Sequence, residues 1–230
     1  MKRIMGVVFG VMFFLSAGLA YAIPSLQLDI AGGTYDPITE TIIAPTKSFD
    51  LYAYLIPDKK VNTDTLFFIS FAVVPQANSS ANLGSFTFAG FLPIPVTSPP
   101  MKYGTPESLP GHGIFPTLYI ESPPFTFGSA SQIAPYNTAD RAISGDPIPT
   151  SGSGMYSFSF PVDVTGLSEG YNIHFDLYGY YTGASGKTQI EFAPFSHDAQ
   201  SNGNKVPEPS TLLLLGAGLV GLYGLRRRMK

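Results

Sequence analysis

The side chains that could do chemistry are few, and they are scattered along the chain. The three histidines, His112, His174 and His197, fall in a Pro/Gly-rich loop, a strand-like segment and a polar stretch. None of them has the H-E-x-x-H or i, i+4 spacing that zinc sites on helices use. The chain also lacks cysteine and any G-x-S-x-G segment that would present a nucleophilic serine. We therefore expect no catalytic residue, no metal ligand and no cofactor-binding residue, and we expect that the protein is not an enzyme.

Calcium is the one cofactor that the acidic loops suggest. It prefers oxygen ligands, and carboxylates are available on three loop aspartates, Asp36, Asp140 and Asp146. No EF-hand pattern accompanies them. Solvated surface acids are therefore the simpler interpretation.

Aromatic side chains suggest a sugar ligand, because rings can stack on sugar faces. Tyr178, Tyr180 and Tyr181 are the candidate contacts. Aromatic residues at every second position are, however, more typical of a strand that faces a core.

Another chemical feature is the segment Val206-Pro207-Glu208-Pro209-Ser210. Proline lacks an amide proton and biases the preceding residue toward extended backbone, so this segment cannot continue a helix. Glu208 is therefore expected on an accessible, extended peptide. Such a peptide beside a membrane is what a membrane-embedded processing enzyme can bind and cut.

An apolar run and a basic cluster follow that segment. The run, residues 211–225, has 15 residues and would rise about 22 Å as a helix, less than a hydrocarbon core of roughly 30 Å. Snorkelling of Arg226, Arg227 and Arg228, together with local thinning of the bilayer, would have to cover the difference. The same arginines act as a membrane stop and keep this end in the cytoplasm. An ordinary single-span anchor with incidental prolines is the alternative.

Taken together, these parts resemble the PEP-CTERM domain. The resemblance rests on Pro207-Glu208-Pro209, the leucines from Leu212 to Leu215, the small residues Gly216, Ala217, Gly218 and Gly221, and the arginine cluster. It implies recognition by an exosortase, an integral-membrane, cysteine transpeptidase-like enzyme that cuts at or near the motif. It also implies a Gram-negative, exopolysaccharide-producing bacterium that forms biofilms.

The N-terminal residues resemble a secretory signal peptide. Lys2 and Arg3 precede an apolar run, and Ala20-Tyr21-Ala22 places small residues three before and one before a cut. Signal peptidase is expected to cleave before Ile23. A retained transmembrane helix is the alternative, since the run is near the lower length limit for a span.

The charge of the central part excludes one class of partner. Residues 23–205 carry 15 acidic and 7 basic residues, a formal charge of −8. A nucleic-acid partner is therefore not expected. Stability has to come from packing, because there are no cysteines for disulfides.

Alternating apolar and polar residues predict strands along the central part. The strands predicted in this way are residues 26–30, 49–55, 85–91, 155–162, 171–181 and, as the last one, 187–192. Residues 66–74 are apolar on both faces and predict a central strand. Residues 93–124 and 129–154 are rich in Pro, Gly, Ser and Thr and are expected to be long loops, with a short edge strand at residues 117–120. The expected fold is all-β: an antiparallel β-sandwich, jelly-roll or Ig-like, with long Pro/Gly-rich loops.

The expected organisation has four parts. Residues 1–22 form the signal peptide, and residues 23–196 form the extracytoplasmic domain. Residues 197–205 form a polar tether. Residues 206–230 form the sorting signal, with the motif at 207–209, a transmembrane helix at 211–225 and a basic stop at 226–230.

The central domain also resembles the choice-of-anchor group of bacterial surface proteins. The segments that carry this resemblance are residues 26–36, His112-Gly113-Ile114-Phe115, residues 174–178 and residues 193–199. In that group similar ectodomains are joined to different C-terminal anchors. The resemblance implies a surface β-domain and brings no catalytic residues with it.

The expected function is that of an exported, biofilm-associated surface or matrix protein with a structural or adhesive role. A carbohydrate-binding module or glycan-active protein is the alternative. Expected partners are signal peptidase, an exosortase, the inner membrane in transit, and exopolysaccharide. The protein is expected in the inner membrane first, held by its single C-terminal helix, and then at the cell surface or secreted.

The double substitution Pro207→Ala and Glu208→Ala should block processing of the tail, because it removes the extended backbone and the carboxylate that the enzyme is expected to bind. Processing is measured as the mass of the protein recovered from a strain with an active exosortase. Asn204→Ala, outside the motif, is the control. Unchanged maturation of the double variant would contradict the assignment of the motif.

Overall fold

The computed structural model describes residues 23–78 and 82–202. The expected signal peptide and its cleavage residues Ala20 and Ala22, the sorting motif, the apolar run and the arginine cluster all lie outside the described residues. Within the described part of the chain, no helix is long and apolar enough to cross a membrane.

In residues 23–78 and 82–202, fourteen strands form two sheets. The first sheet has the order β1-β4-β11-β6-β7, and β10 also pairs with β11. Its strands are β1 (Leu26–Ile30), β4 (Ser48–Leu55), β6 (Ser85–Phe88), β7 (Ile94–Pro95), β10 (Ser131–Ile133) and β11 (Met155–Asp163).

The second sheet has the order β2-β3-β14-β12-β5-β9-β8, and β13 also pairs with β12. Its strands are β2 (Thr34–Asp36), β3 (Thr41–Ile43), β5 (Phe67–Val74), β8 (Lys102–Gly104), β9 (Thr117–Glu121), β12 (Asn172–Thr182), β13 (Thr188–Phe192) and β14 (Asp198–Gln200). Its pairs are antiparallel except for β3 and β14, which run parallel.

The core lies between the two sheets and is held by aromatic rings. Phe71 on β5 packs against Phe86 and Phe88 on β6, with ring centroids 5.4 and 4.7 Å apart. Phe71 also contacts Phe175 on β12 at 5.9 Å. These contacts join the sheets, so the structure agrees with the predicted all-β sandwich. The alternation of apolar residues located its main strands because each strand turns one face to this core.

The outer face of the first sheet is covered over β1. All five residues of β1 are buried, including the outward-facing Gln27 and Asp29. The covering segment is residues 129–154, which was predicted as a loop and which contains β10 and a short helix, α1 (Thr138–Ser144). The helix was not predicted because seven residues are too few to show a helical period.

A buried ion pair attaches α1 to β1. Arg141 donates from Nε to Asp29 Oδ2 at 2.9 Å, and its Nη2 donates to Asp29 Oδ1. The hydroxyl of Tyr136 donates to Asp29 Oδ2 at 2.7 Å. Gln27 completes the attachment by accepting from the backbone N–H of Thr138 at 3.0 Å. The polar face of β1 is thus fully satisfied beneath the helix.

The outer face of the second sheet is covered by the loop between β8 and β9, residues 105–116, which we call the cover loop. Leu109 and Phe115 of this loop pack with Ala72 and Tyr178 of the sheet. Successive turns bring Leu109, His112 and Phe115 over the sheet, with N–H to C=O distances of 3.1 to 3.3 Å. The loop predicted at residues 93–124 therefore lies against the sheet.

Two predictions about strand positions need correction. The segment predicted as an edge strand at residues 117–120 is β9, which lies between β5 and β8 and is not at the edge. The strand at residues 187–192 is not the last one, because β14 follows it.

The expected tether at residues 197–205 is also corrected in part. His197 ends a 3-10 turn (Phe195–His197), and Asp198 and Ala199 on β14 are fully buried. Ser201 Oγ accepts from the backbone N–H of Ile173 at 2.8 Å. Residues 197–202 therefore belong to the folded domain, and their polar composition reflects buried polar contacts. The remaining tether residues lie outside the described part.

Replacing Arg141 with leucine should lower the free energy of unfolding by about 3–5 kcal/mol, because it leaves the Asp29 carboxylate buried without its partner. Urea unfolding of the full-length protein measures the change. The control is Lys60→Ala, which breaks the solvent-exposed ion pair between Lys60 and Glu191, and it should leave the urea midpoint where it is. Equal midpoints for both variants would contradict the structural role of Arg141.

Candidate functional site

Four side chains from three parts of the fold meet under the cover loop. His174 and Asp176 lie on β12, Asp198 lies on β14, and His112 lies on the cover loop. We call this group the His–Asp cluster. Each residue offers one nitrogen or oxygen atom, and these atoms all lie within 4.8 Å of one another.

The strand register explains why three of these residues converge. His174 and Asp176 are two positions apart on β12, so they point to the same outer face. His174 pairs with Gln200 and Phe175 pairs with Ala199 on β14. Continuing this antiparallel register places Asp198 opposite Asp176 on that face. Two carboxylates therefore face each other across neighbouring strands.

The distances within the cluster define its geometry. His112 Nδ1 lies 2.7 Å from Asp176 Oδ1, a hydrogen-bonding distance. His112 Nε2 lies 3.9 Å from Asp198 Oδ2. His174 Nε2 lies 3.6 Å from Asp176 Oδ1 and 3.5 Å from Asp198 Oδ2. These last two distances exceed the usual range of an N–H to O hydrogen bond.

The cluster is closed to solvent. The side chain of His112 is 10% exposed, those of His174 and Asp176 are 2% exposed, and that of Asp198 is fully buried. Four of the polar atoms receive no hydrogen bond from another protein group: His174 Nε2, Asp176 Oδ2, and both carboxylate oxygens of Asp198. Buried polar atoms without partners are costly, so this concentration needs a physical explanation.

Aromatic rings enclose the cluster on the loop side. The ring of Phe195 stacks on that of His112 with centroids 4.1 Å apart and planes at 9°. Phe115 meets the same imidazole edge-on at 6.2 Å, and the two histidine rings lie 4.8 Å apart. These contacts fix the orientation of His112 and keep the surroundings apolar.

The two carboxylates compete for the available positive charge. Burial alone would lower the pKa of His174, but the carboxylates of Asp176 and Asp198 outweigh it and raise the pKa to about 10. Burial would raise the pKa of Asp176, but the nearby His174 and His112 outweigh it and lower the pKa to about 2. Burial and the negative charge of Asp176 raise the pKa of Asp198 well above its ordinary value. The protein's own groups therefore do not neutralise both carboxylates equally.

The cluster offers two imidazoles and two carboxylates, a set of donors that can hold a cation or share protons. Its closure leaves little room for a substrate, which argues for a structural or binding role. The spacing of the histidines along the sequence does not predict this site, because metal-ligand spacings on helices do not apply to side chains that meet through strand register and a loop. The signal that could have identified half of the site is His174-Phe175-Asp176, two polar ligand types on one face of an otherwise apolar strand.

The third histidine lies apart from the cluster. His197 Nε2 is 3.2 Å from Asn137 Oδ1, and its Nδ1 is 2.9 Å from Ser196 Oγ. These partners satisfy both ring nitrogens.

The aspartates considered for calcium do not come together. Asp36 accepts from the backbone N–H of Ile38 at 2.9 Å, and Asp146 accepts from Ser144 Oγ at 2.6 Å. Asp140 lies in the first turn of α1. Within the described residues, the His–Asp cluster is the one group of three or more such side chains with converging ligand atoms.

The three tyrosines considered for a sugar have different surroundings. Tyr178 is buried, stacks on Phe68 at 5.6 Å, and donates its hydroxyl hydrogen bond to Glu121. Its ring is therefore not available to a sugar, which corrects that assignment. Tyr180 is 38% exposed, and its hydroxyl lies 3.2 Å from Ser108 Oγ of the cover loop. Tyr181 is partly buried against the core.

Comparison with known proteins identifies one segment. A family model described as the PEP-CTERM protein-sorting motif matches residues 205–228. The match supports the expectation of an exported protein that an exosortase sorts through its C-terminal region. It covers the tail and not the β-domain. No curated protein and no solved structure matches the chain.

Leu109→Ala should destabilise the protein by about 2–5 kcal/mol, because Leu109 is a buried anchor of the cover loop. Amide hydrogen exchange at His112 should become faster, since the loop above the cluster is loosened. The matched control is Leu92→Ala, because Leu92 lies in the same proline-rich region and is 87% exposed. If both variants unfold at the wild-type urea concentration, the cover loop does not depend on this anchor.

Proposed function

We propose that the chain delivers a non-enzymatic β-domain to the cell surface or the extracellular matrix, where it has a structural or adhesive role in biofilm. The observation that carries this proposal is the sorting motif at residues 205–228. The resemblance of the central domain to choice-of-anchor surface proteins points in the same direction.

The proposed route follows from the arrangement of the two ends. Signal peptidase removes residues 1–22, and the C-terminal apolar run holds the protein in the inner membrane with the arginine cluster in the cytoplasm. The exosortase then acts at or near Pro207-Glu208-Pro209. Its action releases the domain or attaches it elsewhere.

The described domain suits a passive role outside the cell. Its group of converging histidine and aspartate side chains, the His–Asp cluster, is closed to solvent and packed against aromatic rings. The two long loops lie against the sheets and attach to them through buried contacts. A domain built in this way presents a stable surface, as a matrix or adhesive protein requires.

A carbohydrate-binding role is the second candidate, and one observation favours it. Tyr180 on β12 and Phe192 on β13 are 38% and 43% exposed. Tyr178 pairs with Phe192 and Tyr180 with Ile190, so Tyr180 and Phe192 lie on the same face of the sheet. Two exposed rings on one face could stack on sugar units of an exopolysaccharide.

A strain that lacks the protein tests the structural role. We expect weaker surface attachment and less matrix, restored by the wild-type gene and by a Tyr180→Ala, Phe192→Ala variant. Normal attachment and matrix in the deletion strain would contradict the proposal. Restoration by wild type but not by the double variant, together with glycan-array binding that the double variant loses, would favour the carbohydrate-binding role instead.

A further inference from the structure

We propose that the His–Asp cluster is a binding site for one divalent first-row transition metal ion of the zinc type, held by His112, His174, Asp176 and Asp198. The ion would join the cover loop, the central strand β12 and the last described strand β14. This role does not depend on the proposed function at the cell surface.

The negative charges of the two aspartates favour a divalent ion. Asp176 and Asp198 face each other on neighbouring strands, and like charges in this position destabilise a sheet. Both side chains are buried, where an uncompensated carboxylate is expensive. In the part of the chain that the structure describes, the ion pairs of Asp176 and Asp198 are with histidines and none is with a lysine or arginine, whereas the buried Asp29 has Arg141 as its partner. A divalent ion would balance the two carboxylates while the imidazoles stay neutral.

Four polar atoms of the cluster have no hydrogen-bond partner among the described residues. His174 Nε2, Asp176 Oδ2 and both oxygens of Asp198 are buried and lack hydrogen bonds from the protein. All belong to the same cluster. The comparable aspartate Asp29 accepts three side-chain hydrogen bonds. The electron pairs of these nitrogen and oxygen atoms are free to bind a metal ion, and the ligand atoms of the cluster lie within 4.8 Å of one another.

The distances between the ligand atoms of the cluster also favour a metal ion. In a tetrahedral zinc site with bonds of 2.0–2.1 Å, neighbouring ligand atoms lie roughly 3.3 Å apart. Asp198 Oδ2 is 3.5 Å from His174 Nε2 and 3.9 Å from His112 Nε2. All four ligand atoms lie within 4.8 Å of one another, so side-chain rotations that shorten the longer separations would close the site around an ion.

The orientation of His112 supports the same arrangement. Its Nδ1 lies 2.7 Å from Asp176 Oδ1, and its Nε2 faces Asp198. An ion bound by both side chains would replace the proton between Nδ1 and Oδ1, so that each of these two atoms becomes a ligand.

The donor types select the class of ion. Calcium and magnesium prefer complete shells of oxygen ligands, whereas two imidazoles favour zinc, copper, nickel or iron. Four protein ligands in a closed setting are typical of structural sites, because a catalytic site keeps one position open. The ion would therefore stabilise the fold and take no part in a reaction.

The test measures metal in the purified full-length protein and its thermal stability before and after chelation. We expect about one zinc-type ion per chain, loss of that ion with a strong chelator, and a lower melting temperature. Returning zinc at about 100 times its Kd should raise the melting temperature by about 5–10 °C. Magnesium and calcium at the same concentration should not replace zinc.

Two variants separate a ligand from a residue that merely supports folding. His112→Gln changes the loop ligand and should lower zinc affinity by at least about 100-fold in protein that is still folded by circular dichroism. His197→Gln makes the same change at a buried histidine outside the cluster and should bind zinc like wild type. The proposal is overturned if wild-type protein neither contains metal nor gains thermal stability from any of zinc, copper, nickel or iron. It is also overturned if both variants bind zinc equally well.

Discussion

The rest of the structure depends on one constraint. Charged side chains lie on the outer faces of both sheets, and covering segments bury them. A sandwich normally exposes these faces to water, and there a carboxylate costs nothing. Here residues 129–154 and the cover loop bury Asp29, Asp176 and Asp198, so each of these three carboxylates needs a partner. Asp29 finds Arg141 on α1, and that contact fixes the covering segment to β1. Asp176 and Asp198 have two imidazoles as neighbours, and of these contacts only the one between Asp176 and His112 is at hydrogen-bonding distance.

The sequence could predict the strands but not the segments that cover them. Alternation located β1, β4, β11 and β12, because burial against a core repeats every two residues, and an apolar run located the central strand β5. The same pattern carries no information about what covers the other face. Neither the docking of α1 nor the meeting of His112 with His174 could be predicted, since each depends on contacts between distant segments. The polar composition of residues 197–202 predicted a tether for the same reason, because their burial depends on contacts with distant parts of the chain.

The tail and the domain present two separate kinds of information. The sorting motif at residues 205–228 is a linear signal that a membrane enzyme reads, so it can be recognised from the sequence alone. The His–Asp cluster is a three-dimensional signal, assembled from positions 112 to 198 by strand register and a loop. In a chain without cysteine, a metal ion is one of few available cross-links. It would act on β14, the last strand of the described residues.

X-ray absorption at the metal edge tests this assignment most directly, because it reports the identity and distances of the ligand atoms. Protein as purified should show about two imidazole nitrogens and two oxygens at about 2.0–2.2 Å from a zinc-type ion. The His112→Gln variant should lose one imidazole contribution, and His197→Gln should leave the spectrum unchanged. A spectrum without imidazole scattering, or one that His112→Gln does not alter, would contradict a metal ion in the cluster.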